Sequence, residues 1–169
     1  MTDFDVSPDY QSQDTRPVAA GWWRRAKAVV IDMLLWSAAE VLPVALAVVG
    51  LVMAVDEAAD DGSVVVGWVL FAVGVAVFVA VVVWAGWLFG YRQGVTGTTP
   101  GKRRLGIRLI DIETGEPPGG SRGLGRWLVP GLINSVVNVF SLIDYLWPTW
   151  DDRNQRITDK IFKTQVVEA

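Results

Sequence analysis

From Val64 to Phe89 the chain reads "VVVGWVLFAVGVAVFVAVVVWAGWLF", without one charged residue. At 1.5 Å of rise per helical residue, about 20 apolar residues cross a hydrocarbon core roughly 30 Å thick. A stretch this long has no polar face to turn toward water, and in lipid a helix satisfies every backbone hydrogen bond within itself. A second run, Ala28 to Val55, is apolar apart from Asp32, Ser37 and Glu40. Both runs are predicted to span a membrane.

The flanking charges predict the orientation. Arg24, Arg25 and Lys27 precede the first run, and Arg92, Lys102, Arg103, Arg104 and Arg108 follow the second. The turn between the runs, Asp56 to Gly62, is acidic. Lys and Arg in short loops mark the cytoplasmic side, so the amino terminus and segment 91–126 are expected there, in a multi-pass protein of the cell membrane. Trp22, Trp23, Trp84 and Trp87 then share one interfacial belt. The first run lies too far from Met1 for a conventional signal peptide and is expected to stay in the membrane. Residues 1–20, with Asp3, Asp5, Asp9 and Asp14 among Ser, Gln, Thr and Pro, read as a disordered tail before a domain over 21–167.

A third apolar run, Trp127 to Trp147, contains Pro130, Gly131, Asn134, Asn138 and Asp144. It is one span or a re-entrant hairpin. The basic tail (Arg153, Arg156, Lys160, Lys163) favours the hairpin, which keeps the carboxyl terminus cytoplasmic. Leu105 to Ile112 alternates as a strand, ends at the turn formers Gly115, Pro117 and Pro118, and could pair with Gln165–Val167. The expected fold is an all-α membrane protein: two long transmembrane helices, a third apolar helical element and a small cytoplasmic β pairing.

Composition excludes much chemistry. The chain has no cysteine and no histidine, hence no thiolate nucleophile, disulfide or imidazole ligand. With no nucleophile motif either, no enzyme, cofactor or metal is expected. No basic recognition module suggests nucleic acid. Gly97–Lys102 invites a phosphate-loop reading, but Thr96 stands where that loop needs Gly and Arg103 where it needs Ser or Thr, so no nucleotide is expected.

Several of these segments together resemble the RDD family of bacterial membrane proteins, over roughly residues 21–167. Arg25, Ala28 and Asp32 match its first motif, "TPGKRRLGIRLID" its Gly-Lys segment and strand, and "RITDKIFKTQVV" its closing motif, with Asp159 and Thr164 in place. "YLWPTWDDRNQ" is similar to the form found in one subgroup. The chain departs at Phe162–Lys163, where the family often has a small residue and glycine. The resemblance implies a membrane architecture and transport as the usual suggestion, without a defined activity.

The polar residues inside the apolar runs are the site candidates. Arg25 and Asp32 lie about two helical turns apart on one stripe. They are expected to form an ion pair that sets helix geometry, or a cation or proton relay. Arg25, Asp32 and Asp159 are expected to meet in one charged cluster at the cytoplasmic face. Glu40 sits three residues before Pro43, whose ring frees a backbone carbonyl. With Asn134, Asn138 and Asp144 it could line an ion site, or it is a hydrogen-bonded structural Glu. Ala72, Ala76 and Ala80, with Gly86 and Gly90, form small-residue stripes for helix packing, within one chain or between copies. Two functions stay open: a small transporter or cation/proton-exchange component acting as a homo-oligomer in the bilayer, or a non-catalytic accessory or assembly subunit of a larger membrane complex.

Overall fold

The computed structural model describes residues 17–56 and 58–169. The acidic part of the tail, residues 1–16, lies outside them.

Two long helices dominate. α1 runs Trp22–Ala54 and α2 runs Asp61–Ala85; the second continues through a π-helical segment, Gly86–Arg92, into α3, Gln93–Thr96. The turn between them ends on Asp60, whose carboxylate accepts the Ser63 backbone N–H (2.9 Å) and hydroxyl (2.9 Å) and caps α2. α1 begins six residues before its predicted apolar run, and the second helix with its continuation outruns its own at both ends, because the flanking polar residues also take helical conformation.

The helices pack antiparallel along a seam of small residues. A Cβ on Gly50, Gly67 or Gly74 would collide with the partner's backbone at Phe71, Ala54 or Ala47 respectively. Gly67 and Gly74, like Ala47 and Ala54, are one heptad apart, so each pair faces the neighbour on successive two-turn repeats. The expected alanine stripe does not carry this contact: Ala72, Ala76 and Ala80 are exposed on another face of α2. Glycine wins the seam because it alone removes the Cβ that holds the backbones apart. Gly86 and Gly90 are buried, against the Trp127 ring and Leu124 of α5 (Gly120–Asn134).

The remaining elements gather at one end of the pair, beside the start of α1. α4 is Pro100–Arg104, and β1 (Ile107–Asp111) pairs antiparallel with β2 (Thr164–Glu168), Leu109 opposite Val166. Ala19 bridges to Val167, and the Ala20 N–H donates to the Val166 carbonyl (2.9 Å), so chain expected to belong to the tail lies along the sheet. Ala20, Ala28, Ile107, Leu109 and Val166 form the core between sheet and α1.

The third apolar run is not one continuous helix. α5 ends at Asn134, residues 135–139 turn, and α6 (Phe140–Leu146) follows, its Ser141 N–H donating to the Asn134 side-chain Oδ1 (3.2 Å). α7, Ile157–Ile161, then leads to β2 through Lys163, which takes a left-handed φ of 51°. That conformation explains why glycine is usual there, since an L side chain crowds its own carbonyl. Phe162 meanwhile packs its ring against Gly125, where a Cβ would stand 2.7 Å from it.

Candidate functional site: a buried arginine–aspartate network and its cavity

Asp159 is fully buried at the first turn of α7. Its carboxylate takes Arg25 Nη1 at 3.4 Å, the Arg156 backbone N–H at 3.1 Å, Arg156 Nε at 3.9 Å, and a short contact from Arg126 Nη2. Arg25 comes from the first turn of α1 and Arg126 from α5, so one carboxylate ties three elements together. Burial alone would raise the Asp159 pKa. The guanidiniums of Arg126, Arg156 and Arg25 outweigh it and hold the group below the ordinary carboxylate range.

Arg25 also donates from Nε to the Ala20 carbonyl (2.9 Å) and from Nη2 to the Val166 carbonyl (2.8 Å). Its fork therefore closes the strap and the sheet onto α1, a use of planar guanidinium geometry that Lys could not repeat. Asp144, also fully buried, accepts the Thr158 N–H (2.8 Å) and hydroxyl (2.9 Å), with Arg156 Nη1 at 3.8 Å.

Asp32 joins Arg25 in neither an ion pair nor a hydrogen bond. Its Oδ1 accepts the Gly101 N–H (2.7 Å) and its Oδ2 the Thr99 hydroxyl (2.6 Å). Thr99 Oγ1 in turn accepts the Lys102 N–H (3.2 Å), as the N-cap of α4. A carboxylate on α1 thus satisfies orphan donors at the start of a neighbouring helix, where negative charge is also favoured by the backbone dipoles. Gly101 is needed for this docking: a Cβ there would strike the Ala28 carbonyl. The expected cluster is therefore split. Arg25 and Asp159 meet directly, whereas Asp32 serves the α4 cap.

The expected ion site does not assemble. Glu40 is half-buried with no hydrogen-bond or ion-pair partner among the described residues, Asn138 is exposed, and Asp144 is committed to Thr158 and Arg156. Among the described residues no three Asp or Glu side chains converge as a metal site would require.

Between these elements lies a cavity of about 500 Å³, lined by Asp32, Trp36, Lys102, Arg126, Tyr145 and Arg156 among others. A smaller one of about 270 Å³ adjoins it, sharing Lys102, Tyr145 and Arg156. With the Gln93 amide turned so that its nitrogen donates to the Phe89 carbonyl (2.6 Å), its oxygen faces the Lys102 ammonium. Burial, Arg126 and Arg156 push the Lys102 pKa down to about 7, against the opposing pull of Asp32 and Asp159. Arg156 stacks over the Tyr145 ring, 4.7 Å from its centroid.

Arg126, Arg156, Lys102 and Thr99 were not among the sequence candidates. Signals for them existed: Thr99-Pro100 is a helix-start pair, and Arg126 and Arg156 border the third run and the closing motif.

No solved structure matches the chain. A proline-rich antigen of Mycobacterium leprae is 38% identical over 78 residues, covering 46% of this chain and 30% of that protein. A proline-rich antigen homolog of Mycobacterium tuberculosis is 32% identical over 102 residues, covering 60% of this chain and 38% of its own length. The chain thus spans about a third of the length of these relatives. The RDD family pattern matches residues 19–163, which take in Arg25, Asp32, Lys102, Arg126, Asp144 and Asp159. Its two long apolar helices fit a membrane family, and the chain belongs to the RDD family.

Proposed function

We propose that the chain is an integral membrane protein with both ends at the cytoplasmic face, acting there as a non-catalytic binding or accessory module. The observation that carries this reading is the one-sided distribution of polar groups. The cationic network, both cavities and the sheet lie at the end of the helix pair that holds the start of α1, while the outer surfaces of α1 and α2 are apolar and exposed. Ala19 beside Val167 keeps the two ends of the domain together, which suits a shared cytoplasmic location. In this orientation α5 and α6 form a re-entrant hairpin, its irregular turn tolerated at the interface.

Cation/proton exchange by one copy lacks support. Past Asp32, Glu40 is the one ionisable residue on α1 before the acidic turn, and it gathers no partner among the described residues. An oligomer that placed Glu40 of several copies around one axis is the second reading, favoured by that unpartnered, half-buried carboxylate.

Proteoliposomes with an imposed pH gradient separate the two. The module reading expects no cation-dependent proton flux from wild type. Flux lost in Glu40→Gln would replace it with the exchanger. Reporter fusions at Ala169 and within 56–62 test the topology, and a periplasmic carboxyl terminus would overturn it.

A further inference from the structure

The larger cavity contains an unusual combination. Arg126, only 4% exposed, leaves its Nε without an acceptor, and Trp36 leaves its buried indole Nε1 likewise. Both residues line this cavity. Buried donors without partners are rare and costly, and two on residues that line one space point to an acceptor there. The surrounding charge has a sign as well. The lining carries three cations (Lys102, Arg126, Arg156) and one carboxylate, Asp32, both of whose oxygens are already engaged by the α4 cap.

The rest of the lining is apolar. Val29 and Met33 of α1, Val82 of α2 and Leu132 of α5 lead from the polar groups to the helix surfaces, where Met33 and Leu132 are exposed. The volume lies within the range of small-molecule sites, about 300–1,000 Å³. A ligand suited to these walls is anionic and rich in acceptors at one end, and apolar at the other.

We propose that this cavity binds the phosphate head of an acidic phospholipid, with Lys102, Arg126 Nε and Trp36 Nε1 as donors and the acyl chains leaving between α1 and α5. A zwitterionic head would bring its own ammonium charge against Lys102 and the arginines, so the site discriminates by charge. The assignment rests on the membrane reading above.

The test uses the full chain in a neutral detergent, titrated with dihexanoyl phosphatidylglycerol, dihexanoyl phosphatidylcholine or inorganic phosphate. Phosphatidylglycerol is expected to bind about tenfold more tightly than phosphatidylcholine, the scale of one charge-assisted hydrogen bond. Lys102→Gln and Trp36→Phe should each erase about tenfold of the phosphatidylglycerol affinity. Trp36→Phe keeps an aromatic ring and removes the donor, so it decides the matter even where Lys102→Gln folds poorly. Equal binding of the two lipids, or variants that bind like wild type, would overturn the site. Competition by inorganic phosphate at equal concentration would assign it to a soluble anion and overturn the lipid. Alkaline carbonate extraction keeps the two readings apart. Release of the protein from membranes defeats the membrane reading itself, whereas retention without lipid selectivity defeats this site alone.

Discussion

Replacing Asp159 by Asn removes one negative charge and keeps the shape of the side chain. In the wild type that carboxylate is fully buried and meets Arg25, Arg126 and Arg156 within 4 Å. Without it, Asp144 is the remaining carboxylate within reach, 3.8 Å from Arg156 alone. Arg25 and Arg126 stay buried and lose their counter-charge, a change that costs about 3–5 kcal/mol when one partner of a buried pair is removed. That is a large share of a typical total of about 5–15 kcal/mol. At about 2–4 °C per kcal/mol for a chain of this size, the unfolding midpoint should fall by about 6–20 °C. The assay is thermal unfolding in detergent near neutral pH, followed by size-exclusion chromatography of a fluorescent fusion. Glu113→Gln is the control, because its pair with Lys163 is solvent-exposed on both sides and contributes little. Acidification supplies a second reading. The folded Asp159 pKa lies below its unfolded value of about 3.9, so its stabilisation is present above that value and is lost as pH falls through the folded one. The gap between wild type and variant should therefore close below about pH 4. A midpoint within about 2 °C of wild type at neutral pH would mean that the three arginines do not depend on Asp159.

Arg25 and Asp32 should behave additively in a double-mutant cycle to Ala, whereas Arg25 and Asp159 should show a coupling of about 0.5–3 kcal/mol; the reverse pattern would restore the α1 ion pair expected from spacing. Lys163→Gly should raise the unfolding midpoint by about 1–3 °C, because glycine takes the left-handed φ without crowding; an unchanged or lower midpoint would show that the conformation carries no strain. Lys102 has a folded pKa near 7, below the ordinary lysine value of about 10.4. Between those values the unfolded chain holds one more proton, so stability should rise with pH. Lys102→Met should flatten that rise in midpoints measured across the same range, and parallel slopes would place the ammonium in water.

The carboxylate at Asp32 illustrates how far the sequence carries. Its position inside an apolar run requires a partner, and Arg25 two turns earlier is the obvious local choice. The partner is instead the amino end of α4, about seventy residues away in the chain, because the turn from α3 to α4 brings Thr99 and Gly101 against α1. Gly97 makes that turn with a left-handed φ of 72°. The small-residue stripes divide in the same way. Gly86 and Gly90 meet α5, but the choice between the alanine face and the glycine face of α2 depends on where α1 lies. An apolar helix with no polar face offers no periodicity from which that face could be read.

By itself the sequence determined the two long helices, the β pairing near the carboxyl terminus and the family, and it left the third run as one span or a re-entrant hairpin. Each follows from local rules: the length of an apolar run, strand alternation, turn formers, or motif residues in order. Tertiary structure alone decided which cation meets which carboxylate, which face of α2 is the seam, and that Lys102, Arg126, Arg156 and Trp36 surround one cavity. The physical reason is that charge and hydrogen-bond pairing act over a few ångströms in space and are indifferent to separation along the chain. With fifteen basic and eighteen acidic residues in the sequence, only the packing of Arg25, Arg126 and Arg156 around Asp159 selects one pairing from many.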